Sequence, residues 1–208
     1  MFWKFLSWLC RIHFVYEWLY DRIEKNPYWH IMSPDGSRVY MLRGWIIKRG
    51  SWWQKLLGLN FCVRIHHILV PDQDRHLHSH PFNYRTLVLK GWYDEERPEG
   101  CYLRRAGETG DGTMHTFHRI TDISMWGAVT LFIMWGGERD KWGFMTEDGY
   151  VPNKEYFRMR NDQNGDPRTT FMQEAESYGM LRVPGADHTI VEGCFDSNCP
   201  DCSQRLPQ

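Results

Sequence analysis

From about Val39 to Trp135 the chain is a series of short β-rich runs: RVYMLRGWIIKRG, NFCVRIHHILV, YRTLVLKGWYDEE, CYLRRAG, TMHTFHRI and AVTLFIMW. Glycine-bearing breaks separate several of them, and no helical run of ten or more residues intervenes. Parallel strands need long crossovers, usually helical, so short breaks point to an antiparallel sandwich or barrel. With 208 residues, the chain suits one domain with extensions and can bury a sizeable core. Its eleven tryptophans imply that the core, a pocket or an interface is rich in flat rings.

The amino terminus, MFWKFLSWLCRIHFVYEWLYDRIEK, has a different period. Phe2, Phe5, Leu6, Leu9, Ile12, Tyr16, Leu19 and Ile23 fall on one helical stripe, while Trp3, Trp8, Val15 and Trp18 leave the other side only partly polar. The spacing predicts a helix buried on two sides, packed against the domain or a partner subunit; an interfacial membrane helix is the alternative. Lys4, Arg11, Glu17, Asp21 and Arg22 interrupt every apolar run before the ~20 residues a spanning helix needs. No small-residue cleavage site follows, so the segment reads as neither a transmembrane span nor a signal peptide. NPYW and SPDGS punctuate the chain as turns, and RNDQNGDPR suggests a flexible link. The expected organisation is a helical extension over 1–36, a β-barrel over 37–157 and a carboxyl-terminal extension over 158–208.

The stretch DRHLHSHPF places His76, His78 and His80 at every second position. In a β-strand such residues share a face, so the file is either a hydrated edge or a site. Two histidines at i, i+2 with a third from a neighbouring strand make a set of neutral nitrogen ligands that leaves coordination positions open. That arrangement is catalytic rather than closed and structural. Imidazole suits Fe, Ni, Zn, Cu and Mn, so ligand type alone does not choose the metal. Arg64, Arg104 and Arg119 alternate with site-facing strand positions. They are candidates to clamp a substrate carboxylate or phosphate by bidentate hydrogen bonds, with plain surface charge as the alternative. His66 and His67 fall on alternate faces of one strand and receive no role.

These residues resemble the cupin superfamily, whose first motif reads HxH, a short spacer, usually Glu, then a strand and Gly. His78 and His80 match the HxH, and Gly91 lies where the closing glycine is expected. The Glu position falls near Tyr84, which removes one usual metal ligand. The second motif's histidine matches His118 in AGETGDGTMHTFHRI, although the usual proline–glycine signature is absent. Pairing His76 with His78 would misplace the closing glycine, so His76 reads as a group that orients a ligand or as an alternative ligand. His115 is expected to point away. Over roughly Tyr40 to Tyr156, the order DRHLHSHPF, GWYDEE, HRI, VTLFIMWGG and KWGF also resembles cupin-like proteins of phage and bacterial genomes.

The resemblance implies a mainly β fold, a cupin-type double-stranded β-helix (jelly-roll barrel) with an amino-terminal helix and an irregular carboxyl-terminal extension. It also implies one divalent metal on His78, His80 and His118. A three-histidine cupin without the Glu is similar to the thiol dioxygenases, which use Fe(II); Ni, Mn and Zn are the alternatives. By that analogy Tyr84 or Tyr93 sits near the metal and orients substrate, Glu95 stands in as a carboxylate ligand from the next hairpin, and Arg119 joins the catalytic group.

Near the carboxyl terminus, DHTIVEGCFDSNCPDC places His188, Cys194, Cys199 and Cys202 within fifteen residues, a candidate structural zinc site or a tail with free thiols. Cys10, Cys62 and Cys101 lie in apolar or strand contexts and read as reduced core cysteines, which suits a cytoplasmic setting, the host cytoplasm if the chain is phage-encoded. A net charge of −1 provides no global basic field for nucleic acid or an anionic membrane.

Three function classes remain. The leading one is a mononuclear non-haem iron oxygenase acting on a small polar molecule. The second is a metal-dependent isomerase, epimerase or lyase of a sugar or nucleotide, with Tyr93 and Glu95 as its base candidates. The third is a non-catalytic phage scaffold or host-interaction protein whose Trp-rich terminus is an interface. A homodimer is compatible with each, and fold does not choose among them.

Overall fold

The computed structural model describes residues 1–32, 39–72, 74–137 and 141–164. Three helices, α1 (Phe2–Cys10), α2 (His13–Tyr20) and α3 (Arg22–Lys25), precede the strands β1 (Pro27–Met32) and β2 (Val39–Ile47). A short helix α4 (Trp52–Leu56) leads into β3 (Phe61–Ile68) and β4 (Leu77–His78). Then follow β5 (Asn83–Lys90), β6 (Trp92–Arg97), β7 (Gly100–Arg105), β8 (Thr109–Gly112), β9 (Arg119–Ile123) and β10 (Ala128–Trp135). The strands β11 (Gly143–Thr146) and β12 (Gly149–Pro152) and the helix α5 (Asn153–Asn164) complete the described chain.

One sheet runs β1-β2-β3-β10-β5-β8, and two smaller ones run β12-β11-β4 and β7-β6-β9. The pairings between these strands are antiparallel. An antiparallel bridge between His78 and His118 joins the two smaller sheets at β4 and the start of β9, so they continue as a second layer. From β3 onward the chain passes back and forth between the layers, as the short glycine breaks predict. Gly91 makes one of these passages, from β5 to β6. It sits at φ +73°, and a Cβ there would lie 2.3 Å from the Gly127 carbonyl oxygen, so this corner admits only glycine. The result is a mainly β, antiparallel jelly-roll fold.

The long sheet is covered on both faces, which is why its central strand β10, AVTLFIMW, reads as an almost unbroken hydrophobic run. Outward, Leu42, Val63, Ile65, Leu87, Leu89, Val129 and Leu131 form one core with Cys10, Leu19 and Ile23 from the helices. Inward, Ile68, Val88, Tyr93, Ile120 and Ala128 make a second cluster, and Cys62, Tyr84, Phe132 and Met134 a third. The outward core needs close docking of α3 on β2, and Gly44 permits it, since a Cβ there would meet the Arg22 carbonyl oxygen at 2.3 Å.

The amino-terminal stripe forms three helices rather than one. At Ile12 the chain turns extended, φ −61° and ψ 129°, which redirects α2 so that Leu19 stays on the sheet. Only one side is buried: Phe2, Phe5, Trp8, Phe14 and Trp18 are exposed. No helix among the described residues is long and apolar enough to cross a membrane. Cys10 and Cys62 are buried, as expected, but Cys101 is exposed on β7, an edge strand of its layer.

His67, on the outward face of β3, ties α2 to the sheet. Its Nδ1 accepts from the Tyr20 hydroxyl at 2.8 Å, and its Nε2–H donates to the Trp126 carbonyl at 2.9 Å. Burial pushes its pKa down to about 4, against the opposing effect of the Trp126 hydrogen bond. The folded chain therefore holds His67 neutral, while the unfolded chain protonates near the ordinary value of about 6.5. Its contribution is intact above that value and is lost as pH falls toward 4, by about 2 kcal/mol at about pH 5. The expected outcome for His67→Gln is a smaller fall in thermal stability between about pH 7 and pH 5 than in the wild type, by roughly that amount. Near-UV circular dichroism melts at both pH values check it, and equal falls would contradict it.

Candidate metal centre

The second layer brings three imidazoles together. Backbone bonds of 2.9 Å run both ways between His78 and His118, holding the two ligand-bearing segments side by side. Between His78 and His80, the Ser79 backbone N–H donates to the Gly143 carbonyl at 2.9 Å and its Oγ accepts from the Gly143 N–H at 3.2 Å. Ser79 thus anchors this segment to β11 while its neighbours turn to the opposite face. The ring centroids of His78, His80 and His118 form a nearly equilateral triangle with sides of 5.0 to 5.1 Å. One ligand nitrogen from each lies within 4.8 Å of the others, and this is the group among the described residues that could hold a metal ion.

The donor set fits a metal. His80 Nε2 and His118 Nε2 are 2.8 Å apart. Two nitrogens bound to one ion at the usual distance of about 2.1 Å and at a right angle stand about 3 Å apart. Burial lowers the pKa of His78, and burial with the neighbouring His118 and His78 lowers that of His80 well below the ordinary range. Both rings are therefore neutral near pH 7, with lone pairs available without first losing a proton.

Glu95 fixes the third ring. On β6, which pairs with β9, its Oε1 accepts from His118 Nδ1–H at 2.9 Å, leaving Nε2 of that ring as the ligand atom. Arg97 Nη2 donates to Oε1 at 2.8 Å and Arg104 Nε to Oε2 at 2.9 Å. Burial pushes the Glu95 carboxyl up, but the His118 and Arg97 contacts outweigh it and hold the group at about 2. Glu95 is thus an ionised brace on the far side of His118, and its carboxylate does not face the ligand nitrogen.

Aromatic rings wall the site. His80 stacks on Phe82 at 5.4 Å, Tyr84 lies 5.2 Å from His80 and 5.6 Å from His118, and Phe144 lies 6.0 Å from His78. Tyr84 is buried with no hydrogen-bond partner for its hydroxyl among the described residues, and burial raises its pKa. Tyr93 sits deeper, its hydroxyl 3.4 Å from Thr86 Oγ1, with its pKa pushed up to about 12 by burial and then by Glu95.

The remaining sequence candidates lie elsewhere. His76 leaves the common face because β4 spans only Leu77–His78; its Nδ1 is 2.9 Å from the Tyr156 hydroxyl, and Tyr156 stacks on Phe144. Arg119 turns to Glu96 at 2.6 Å and to the Arg75 carbonyl, and Arg104 is engaged by Glu95. Arg64 stands on the inward face of β3 beside Trp45 and Phe132. His115 is exposed. His188, Cys194, Cys199 and Cys202 lie outside the described residues. A surface cavity of about 280 Å³ bordered by Trp45, Lys48 and Trp53 contains none of the three histidines. Sequence reasoning missed Arg43, His66 and Phe132, which reach the interior only through strand register.

Strand order and the inward histidines define an antiparallel jelly roll with a group able to hold a metal. No protein-family model and no curated protein matches the chain. Among solved structures it is similar to ectoine synthase from P. lautus, with 12% identity over 59% of this chain and 75% of that one and a TM-score of 0.39. It is also similar to a cupin-like protein from Thermotoga maritima, 15% identical over 59% and 85% of the two chains with a TM-score of 0.35. The EutQ protein of Clostridium difficile shares 7% identity over 51% and 75%, with a TM-score of 0.38. Likeness at this level carries no argument about substrate or reaction.

Replacing a group that orients a metal-bound histidine typically costs 10–100-fold in metal affinity. Glu95→Gln is expected to weaken Fe(II) or Mn(II) binding by about that factor, read by competitive chelator titration. Wild-type affinity in the folded variant would show that Glu95 does not orient His118.

Proposed function

We propose that this chain is a mononuclear metal enzyme, Fe(II) being the favoured ion, that oxygenates a small polar substrate. His78, His80 and His118 would hold the ion, which would supply the one-electron chemistry that activates dioxygen. The observation that carries the reading is the state of the other polar groups around the histidines. Glu95 is ionised and occupied by His118, Arg97 and Arg104. Burial raises the pKa of both Tyr84 and Tyr93, which favours their protonated, hydrogen-bond-donating forms. A base-catalysed isomerase, epimerase or lyase needs a side chain free to take up a proton near neutral pH, and Glu95, held by three donors, is not free to do so. Tyr84 can donate a hydrogen bond to a bound substrate, and the rings of Phe82, Tyr84, Phe132 and Phe144 limit water at the centre.

The test uses nitric oxide, a dioxygen mimic, on anaerobically Fe(II)-loaded protein, followed by oxygen-electrode runs with small thiols, carboxylates and phosphate esters. The expected result is an iron–nitrosyl electron paramagnetic resonance signal that His118→Ala abolishes, and oxygen uptake that depends on iron and on one substrate class. If Zn(II) or Mn(II) supports turnover as well as Fe(II) does, the isomerase or lyase class replaces the oxygenase. If nitric oxide finds no site and His78→Ala is silent in every functional assay, the chain is a non-catalytic scaffold or host-interaction protein.

A further inference from the structure

The inward face of the long sheet, opposite the histidines, carries polar atoms the metal centre does not use. Strand register sets them in two adjoining rows, Trp45–Arg64–Phe132–Thr86 and Arg43–His66–Thr130–Val88. Arg64 Nε, His66 Nε2 and Thr130 Oγ1 are each buried without a hydrogen-bond partner among the described residues. Buried polar atoms are nearly always satisfied by protein, water or ligand, so three such atoms in adjoining rows mark a surface suited to a polar ligand.

Arg64 brings a positive charge to this wall. The Arg64 guanidinium lies over two rings that meet edge to face, 3.9 Å from the Tyr28 centroid and 4.3 Å from that of Trp45. Among the described residues no carboxylate pairs with it. Arg43, on the adjacent strand, lies 4.5 Å from the same Tyr28 ring. Burial lowers the pKa of both guanidinium groups, and the charge of Arg64 lowers Arg43 further. A half-buried guanidinium without a carboxylate partner is poorly compensated, and a planar fork placed against aromatic rings suits bidentate binding of a carboxylate or phosphate.

The wall adjoins the metal centre. His66 stacks on Phe132 at 4.8 Å, and Phe132 lies 6.2 Å from His80 and 5.2 Å from Tyr84. We infer that Arg64 and Arg43, with His66 and Thr130 beside them, form an oxyanion subsite, so that the substrate of the histidine centre carries a carboxylate or a phosphate. Anion binding stands on the wall alone; calling its ligand a substrate rests on the metal-enzyme reading above.

The test is titration of the full-length protein with inorganic phosphate and with acetate, against chloride at matched ionic strength, followed by tryptophan fluorescence and by Tm. At least one anion is expected to bind saturably and raise Tm, with phosphate alone indicating a phosphate ester and acetate alone a carboxylate. Arg64→Gln should weaken binding at least tenfold. Arg64→Met should raise Tm in anion-free buffer, because it removes a poorly compensated charge, and should abolish the anion-dependent rise. Arg64→Lys, which keeps the charge and loses the fork, should also bind more weakly. His78→Ala should bind the anion as wild type does, so failure of the metal reading leaves this result standing. Binding no better than chloride, or an Arg64→Met variant that is less stable and binds as wild type, overturns the subsite.

Discussion

Two backbone hydrogen bonds of 2.9 Å between His78 and His118 carry an unusual share of this structure. They join β4 to the start of β9 and so turn two three-stranded sheets into one layer that can face the long sheet. The same two bonds set a pair of imidazoles side by side, and His80, two residues along, completes the triangle. Fold closure and ligand convergence are therefore one event. Neither histidine segment has a full strand of its own, since β4 is two residues long and β9 begins one residue after His118. Ser79 against Gly143 and Glu95 against His118 supply the support that a longer ladder would otherwise give.

The two faces of the long sheet divide the work. Its outer face packs aliphatic residues against the amino-terminal helices and makes the largest apolar core. Its inner face mixes Phe132, Met134 and Val88 with Arg64, His66, Thr130 and Tyr84. Such a face is costly as packing, because polar atoms there lose water without gaining partners. The helix-covered side can offset that cost, which explains how one sheet carries both a stable core and a polar interior.

Much of the scaffold was legible in the sequence because it rests on local pattern. The β-rich runs of β3, β5 and β10, the corner at Gly91 and the i, i+2 pairing of His78 with His80 all depend on neighbours in the chain. What was hidden depends on register between distant strands. Glu95 reads as a ligand candidate by itself, yet its place beside Ile120 turns it to the back of His118. Arg43 and His66 look like ordinary strand residues until β2 and β3 pair and put them side by side on the inner face. His76 shares the period-two spacing of His78 and His80, and the brevity of β4 turns it to Tyr156. The amino-terminal stripe reads as one helix because periodicity does not register the break at Ile12.

The central claim is that three histidines hold one catalytic metal, and metal content tests it most directly. Untagged wild-type protein, His118→Ala and Cys199→Ala/Cys202→Ala would be compared by plasma mass spectrometry after identical purification. The account predicts about one equivalent of iron, manganese or nickel in the wild type, kept in the cysteine variant and lost from His118→Ala. Zinc alone, lost only from the cysteine variant, would contradict it and leave the histidine triangle without a metal to hold.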